Sequence, residues 1–162
     1  MKRHSSAASL ALAVLAVLGL AGPVAAGEQV PFYGSYEGVD TGTPLVPPLA
    51  SVTVEATGVA THLGKFTFTA LITVNTATGM GSGTFLFTAA NGDTVFGTSS
   101  GQATFTPPNV LAIVEIATIT GGTGRFAGAT GGFTVARLKN TVTGATIASF
   151  EGSISSPGAA KP

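Results

Sequence analysis

The segment that most constrains the fold is 119–135, which reads ITGGTGRFAGATGGFTV and holds six glycines in seventeen residues. Glycine reaches positive φ easily and destabilises helix interiors, so this density predicts tight turns and close backbone contacts. The apolar residues between the glycines predict strands that enter and leave those turns. The glycines assigned to the turn itself are Gly121, Gly122 and Gly124.

The first 26 residues have the layout of a secretory signal peptide. Lys2 and Arg3 are followed by an uncharged apolar run over 7–20 and then by the sequence PVAA at 23–26. This order predicts cleavage after Ala26 and export of the mature chain, to the periplasm or the medium. A membrane anchor is the alternative, but the run is shorter than the ~20 residues that a spanning helix needs. We therefore expect no membrane span in the mature chain.

Charge and cysteine content exclude several classes of partner. Five basic and seven acidic residues remain after residue 26, which argues against nucleic acid or an anionic membrane surface as a partner. The chain has no cysteine, so disulfides, thiol nucleophiles and thiolate metal sites are excluded. Export without disulfides, and without an N-x-[ST] sequon, is typical of a bacterial protein.

Alternation of apolar and polar residues predicts an all-β fold. It is clearest over 65–75, where phenylalanine, alanine, isoleucine and valine alternate mainly with threonine. Similar stretches predict about eight strands, at 28–38, 50–61, 65–75, 84–89, 93–105, 110–119, 133–138 and 146–154. Such a set forms either a barrel or a sandwich, and we favour a single closed antiparallel barrel because it has no edge strands.

The chain divides into four parts on this interpretation. They are a signal peptide at 1–26, a strand with a Pro-rich loop at 27–48, the barrel domain at 49–155 and a flexible tail at 156–162. The prolines of 44–48 predict a loop or an edge crossing over 39–48.

Three local features carry further expectations. Gly58 interrupts an alternating stretch and predicts a β-bulge. Asn91 and Gly92, followed by Asp93, predict a hairpin with a type I′ turn, in which both central residues have positive φ. Segment 110–119 is apolar on both faces except at Glu115, which predicts a strand that is covered on both sides.

Glu115 is the leading candidate for a site residue. Its neighbours two and four positions away are apolar, so its carboxylate must be paired or have a raised pKa. Arg137 lies on a similar apolar face and is the expected partner. Glu115 is either a cavity acid that orients or protonates an apolar ligand or one half of a buried or rim salt bridge that fixes register, and the salt bridge is favoured.

The phenylalanines of two neighbouring strands could line the same cavity, although a role in the barrel core is favoured. They are Phe66, Phe68, Phe85 and Phe87.

Two other partial motifs lack the surrounding residues that catalysis or cofactor binding would need. Gly122, Gly124 and Ala127 match a relaxed dinucleotide fingerprint, but glycine and threonine follow them where that motif needs a helix. His62 has no second ligand at metal-binding spacing and no nucleophile elbow, so we expect it to end a strand, exposed or bonded to backbone. No catalytic residue, metal or cofactor is predicted.

Two stretches resemble the dirigent and allene oxide cyclase barrel superfamily, in particular its small exported bacterial members. They are GGTGRF at 121–126, continued by Gly128 and by GGF at 131–133, and FTAANGD at 87–93. The resemblance implies a calycin-like barrel of eight antiparallel strands with a lipophilic cavity, often assembled as a trimer. Allene oxide cyclases use a pocket cysteine that this chain lacks, and no acid of the chain is matched to those of dirigent proteins.

Three functions remain open at this point. The favoured one is an exported barrel without catalysis that binds a small apolar ligand or serves as a structural or surface protein. The alternative is an enzyme of cyclase or dirigent type, and the third is an assembly module whose partner is another copy of the chain. A continuous cavity that Glu115 points into would favour ligand binding or catalysis, whereas a barrel filled by phenylalanine and isoleucine would favour assembly.

Overall fold

The computed structural model describes residues 27–155, which form eight antiparallel strands closed into one barrel. The strands are β1 (Gln29–Pro44), β2 (Leu49–Ala60), β3 (Gly64–Asn75), β4 (Met80–Ala89), β5 (Thr94–Thr106), β6 (Val110–Gly122), β7 (Gly131–Asn140) and β8 (Ala145–Ser155). Each strand pairs with the next along the chain, and β1 pairs with β8 to close the ring. The all-β barrel predicted from the sequence is confirmed. The predicted signal peptide and the predicted tail lie outside the described residues.

Alternating burial along each strand defines the inside and the outside of the barrel. In β3 the side chains of Phe66, Phe68 and Ala70 are buried, whereas those of Thr67 and Thr69 are exposed. Because successive side chains of a strand point to opposite faces, the buried set fills the barrel interior. The alternation predicted for this strand is therefore confirmed.

Aromatic rings occupy most of that interior. Phe87 is fully buried, and its ring centroid lies between 4.8 and 6.0 Å from those of six other rings. The six are Phe32, Phe66, Phe68, Phe85, Phe133 and Phe150. Most of the pairs are edge-to-face or tilted, the arrangement that aromatic quadrupoles prefer. Packing of these rings is the main apolar contribution to the core.

Glycines on neighbouring strands make room for the rings. A Cβ added at Gly34, Gly58 or Gly97 would lie 2.6 to 2.9 Å from the Cζ atom of a phenylalanine, which is too close. In each case the ring belongs to the cross-strand partner of the glycine. In a fourth pair the added Cβ would instead meet the Cα and Cβ atoms of the phenylalanine. The pairs are Gly34 with Phe150, Gly58 with Phe66, Gly97 with Phe85 and Gly152 with Phe133.

This pairing corrects the interpretation of Gly58. The register of β2 with both neighbours is continuous through Gly58, so there is no bulge there. The register shifts instead between Phe96 and Gly97 of β5, opposite β6. Gly58 interrupts the apolar pattern because the Phe66 ring occupies the place of a side chain.

The two ends of the barrel differ. The upper end carries the loops at 45–48, 76–79, 107–109 and 141–144, and the lower end carries those at 61–63, 90–93 and 123–130. At the lower end a 3-10 helix (Gly124–Phe126) places the buried Phe126 over the interior, beside the buried Leu63. Within residues 27–155 no helix is long and apolar enough to cross a membrane.

The glycine-rich segment forms this lower cover, with less turn than expected. Gly121 and Gly122 are the last residues of β6, so their assignment to the turn was wrong. Gly124 has φ +58 and begins the 3-10 helix, in agreement with its predicted role. The backbone N–H of Arg125 donates to Asp93 Oδ2 at 3.4 Å, which joins this cover to the β4–β5 loop.

The β4–β5 loop is a hairpin of another type than predicted. Gly92 has φ +88, but His62 is the one non-glycine residue with positive φ in the described part of the chain, so Asn91 does not. The Gly92 N–H donates to the Ala89 carbonyl, and the Ala89 N–H donates to the Asp93 carbonyl. This is a three-residue loop that ends in a left-handed glycine, not a type I′ turn.

Two further expectations need correction. The predicted loop at 39–48 is shorter, because β1 continues to Pro44 and pairs there with Ala50 of β2. The strand β6 is covered on one side only: Val114 and Ile116 point outward and are 57% and 67% exposed. Pro44 is the last residue of β1 and is still paired with β2. The outer face of β6 is apolar although nothing within the described residues covers it.

The glycine–phenylalanine pairing predicts a selective cost of adding a methyl group. Gly97→Ala should lower the free energy of unfolding by about 1–3 kcal/mol, because the new Cβ meets the Phe85 ring and the Thr118 carbonyl oxygen. Gly42→Ala is the matched control, since a Cβ there has nothing within 4 Å. Urea unfolding of both variants tests this, and equal losses would contradict the pairing.

Candidate functional site

Three charged side chains meet inside the upper half of the barrel. Asp40 of β1, Glu115 of β6 and Arg137 of β7 are 5%, 8% and 5% exposed. Each continues the inward-facing series of its own strand, so the strand alternation places all three in the interior. We call these three residues the charge cluster.

Arg137 holds the charge cluster together. Its Nε donates to Glu115 Oε2 at 3.2 Å, and its Nη2 lies 3.4 Å from Glu115 Oε1. Its Nη1 donates to Asp40 Oδ2, and Lys139 Nζ lies 3.8 Å from the same oxygen. Two-pronged contact with a carboxylate is the strong geometry for a guanidinium. The predicted pair of Glu115 and Arg137 is thus in contact and forms a buried salt bridge.

A glycine also makes room for the Glu115 side chain. Gly101 of β5 is the cross-strand partner of Glu115, and a Cβ there would lie 2.6 Å from Glu115 Cγ. The carboxylate therefore occupies a place in the β5–β6 pair like that of the phenylalanine rings lower in the barrel.

Burial and the charges of the cluster shift the pKa values of Tyr36 and of Arg137 itself. Burial raises the pKa of Tyr36 well above its usual range, an effect that Arg137 opposes and that Glu115 and Asp40 reinforce. Burial alone would lower the pKa of Arg137, but Glu115 and Asp40 outweigh it and raise that pKa above its ordinary value. Tyr36 is therefore neutral and Arg137 charged across the physiological range.

One oxygen of the charge cluster is left over. Asp40 Oδ1 is buried and has no hydrogen-bond partner within residues 27–155. A buried polar atom without a partner costs about 1–3 kcal/mol. Arg137 uses three of its five N–H groups on the two carboxylates. The cluster thus has one free acceptor, and free donors beside it, with which a guest molecule could form hydrogen bonds.

The space next to the charge cluster is small. A cavity of about 20 Å³ lies between it and the aromatic core, lined by Tyr36, Phe68, Phe87, Glu115 and Arg137 among others. A single water needs roughly 10–15 Å³ measured in this way. The cavity therefore has room for about one water and none for a lipophilic ligand.

The candidate residues from the sequence fall into two groups in the structure. Glu115 and Arg137 belong to the charge cluster. The four phenylalanines belong to the aromatic core, where Phe68, Phe85 and Phe87 also contact the small cavity.

The sequence analysis did not identify Asp40 as a site residue, because the prolines after it predicted a loop there. Its spacing of four residues from Tyr36 and eight from Phe32, both buried, was the available signal.

No metal site emerges from the described residues. Within 27–155 there is no group of three histidine, cysteine, aspartate or glutamate side chains placed to hold an ion. His62 lies at the lower end, exposed, with Nε2 3.1 Å from the Pro31 carbonyl oxygen. This agrees with the prediction that it ends a strand and bonds to backbone.

The salt bridge predicts a difference between two glutamates. Glu115→Gln should leave the fold intact and lower the free energy of unfolding by about 1–3 kcal/mol, because a charged hydrogen-bond acceptor is lost. Glu55→Gln is the control, since Glu55 is exposed on the outer face of β2. Thermal and urea unfolding measure both, and an unchanged Glu115→Gln protein would refute a stabilising pair.

The raised pKa of Tyr36 predicts a loss of stability at high pH. Below pH ~10 the tyrosine is neutral in both the folded and the unfolded chain. Above that pH the unfolded chain loses the proton first, and the free energy of unfolding falls by about 1.4 kcal/mol per pH unit. Stability should therefore fall as pH rises above 10, and Tyr36→Phe should remove this part of the fall. Urea unfolding between pH 8 and pH 11 measures it; parallel curves for both proteins would contradict the assignment.

Comparison with known proteins concerns the fold. No family model matches the chain, and no curated protein matches it. Among solved structures it is similar to the pterocarpan synthase dirigent protein GePTS1, with a TM-score of 0.57 and 12% identity over 86% of this chain and 98% of that one. The chain therefore has the dirigent-type barrel fold, as the resemblance of its glycine-rich segment implied.

Proposed function

We propose that the protein is a barrel without catalysis that works through its outer surface, as a structural module that assembles with further copies of itself. The observation that carries this proposal is the filled interior, where the cavity beside the charge cluster measures about 20 Å³. A barrel filled by aromatic rings has no place for a lipophilic guest, so binding falls to the exterior. The proposal includes export, for which the leader at 1–26 is the support.

One side of the exterior is suited to such assembly. Five aliphatic side chains on β1, β6, β7 and β8 point outward and are between 49% and 67% exposed. They are Val39, Val114, Ile116, Leu138 and Ile147, and we call this surface the aliphatic face. Leu138 and Ile147 are direct cross-strand partners. Contiguous exposed apolar surface of this kind marks interaction sites.

A shallow groove begins on the same side and extends over β2 to β4, where Thr57, Thr67 and Thr88 also line it. Its volume is about 1310 Å³, and one row of cross-strand partners runs along it: Val114, Ala136, Ser149, Ser35 and Val59. The three middle residues are small and form a low floor between larger ends. Such a groove can receive a ridge of side chains from a second barrel.

The opposite side of the exterior is more polar, although Leu71, Leu86 and Phe96 are exposed there. Thr57, Thr67, Thr88 and Thr94 form one cross-strand row over β2 to β5. Threonine suits exposed strand positions and keeps its hydroxyl in water. We assign association to the aliphatic face because Leu138 and Ile147 are direct partners there, whereas Leu71 has threonine on both neighbouring strands.

Charges introduced on the aliphatic face should prevent assembly. We expect the wild-type protein to be an oligomer and the double variant Ile116→Lys, Ile147→Lys to dissociate with a constant raised roughly 100-fold or more. The matched control is Leu71→Lys, Leu86→Lys, because these leucines are 56% and 38% exposed on the polar side. Native mass spectrometry and sedimentation equilibrium measure the masses. A monomeric wild-type protein, or equal dissociation of both variants, would refute the proposal.

A second function is favoured by one specific observation. The unpaired Asp40 Oδ1, beside free N–H groups of Arg137, fits a guest that both donates and accepts hydrogen bonds. This supports an enzyme of cyclase or dirigent type acting on a lipophilic intermediate, and the solved structure with the same fold is described as a pterocarpan synthase. The aromatic core would have to move to admit such a guest.

The same mass spectrum distinguishes the two functions. Bound mass that organic extraction removes, and that Arg137→Met abolishes, would support the dirigent-type role. A ligand-free oligomer would support the structural one.

A further inference from the structure

The upper end of the barrel has an unusual surface. Four segments form it, 41–50, 75–80, 103–111 and 140–145, and none contains a charged residue. Every one of the four exposes at least one large apolar side chain, and the strongest are Val46 at 80%, Val142 at 74%, Met80 at 60% and Phe105 at 55%. We call this surface the upper rim.

Backbone N–H groups of the upper rim are largely satisfied within it. Asn75 Oδ1 accepts from the N–H groups of Ala77 and Thr78 at 3.0 and 3.3 Å. Asn140 Oδ1 accepts from those of Val142 and Thr143 at 2.9 and 3.0 Å. Five rim positions have no N–H at all, because they are proline: Pro44, Pro47, Pro48, Pro107 and Pro108. Loops that satisfy their own donors lose water at a small cost.

Hydrogen bonds between neighbouring segments hold the upper rim as a ring. The Thr76 N–H donates to the Pro48 carbonyl at 2.8 Å, and the Ala103 N–H donates to that of Gly79 at 2.8 Å. On the other half of the ring the Thr141 N–H donates to the Asn109 carbonyl at 2.9 Å. The apolar tips are therefore fixed around one opening, and docking them requires little further ordering.

We propose that the upper rim docks on an electrically neutral lipid surface, with its apolar tips inserted at the level of the headgroups. Apolar side chains that enter the interface supply the affinity of peripheral membrane binding. The four segments have no lysine or arginine to attract anionic lipid and no acid to be repelled by it. The adjoining Asp40 and Lys139 are largely buried and lie next to each other, Lys139 Nζ being 3.8 Å from Asp40 Oδ2. Its threonine and asparagine side chains can bond to headgroups around the tips. This inference is independent of assembly through the aliphatic face.

Two features favour lipid over a second protein as the occupant. The apolar residues stand on four separate segments, Val46 and Val142 in loops and Met80 and Phe105 near strand ends, with threonine and asparagine between them. The core of a protein interface is instead a continuous packed patch. The lower end, in contrast, carries Asp93 and the half-exposed Arg125, which keep that end in water. The two ends of the barrel therefore differ: the upper end is uncharged and apolar, and the lower end carries exposed charged side chains.

Vesicle flotation tests the proposal with a matched pair of variants. The exported chain, its leader removal checked by intact mass, is mixed with vesicles of phosphatidylcholine alone and of phosphatidylcholine with phosphatidylserine. We expect the wild-type protein to float with both, independently of salt, and Val46→Asp, Val142→Asp to lower the bound fraction at least tenfold. The control is Ala90→Asp, Ala127→Asp, which places two charges on exposed residues of the lower end and should float like wild type.

Each other outcome overturns the proposal. Wild-type protein that stays in solution has no affinity for neutral lipid. Binding that needs phosphatidylserine and disappears in salt is electrostatic and does not arise from the rim. Equal losses of bound fraction in both double variants mean that the rim is not the lipid contact. If the rim variant changes the oligomeric mass in lipid-free buffer and leaves flotation unchanged, the rim is instead a protein contact. That last measurement also keeps this test separate from the one on the aliphatic face.

Discussion

The barrel depends on one packing constraint, the placement of a glycine opposite each of several interior phenylalanines. An eight-stranded barrel encloses a narrow interior, and several of its rings fit because the residue opposite them on the neighbouring strand is glycine. Gly34, Gly58 and Gly97 supply that space, and the rings close around Phe87. Because the interior is used up by its own core, the surfaces left for binding are the outer wall and the two ends.

The charge cluster is the exception to this apolar interior. Its two carboxylates are paired with Arg137, beside which Lys139 also approaches Asp40, and Arg137 connects β6 and β7 to β1 at the other end of the sequence. A buried salt bridge of this kind contributes less to stability than to the uniqueness of the register, since any slip of β1 or β7 would leave a charge unpaired. The unpaired Asp40 oxygen shows that the arrangement is not complete by itself.

Much of the fold follows from the sequence, because strand alternation is a local property of the chain. The strand at 65–75 and the pairing of Glu115 with Arg137 follow from period-two patterns. The inward direction of Glu115 does not, because both faces of 110–119 are apolar. Asp40 was missed because prolines four or more residues later outweighed its own spacing from Tyr36. The sequence wrongly predicted that the outer face of β6 is buried. The pattern identifies apolar residues, but whether they are buried depends on contacts with other strands or other molecules. The closing pair of β1 and β8 is likewise non-local.

That closing pair has a consequence for the way the chain is laid out. Gln29 and Ser155 are register partners, so the strand that begins the barrel and the strand that ends it meet side by side at the lower end. A short linker could join them and new ends could be opened in any upper loop, a circular permutation that leaves every strand pair in place. Equally, a protein fused to either end would extend from the lower end and leave the rim on the far side unobstructed.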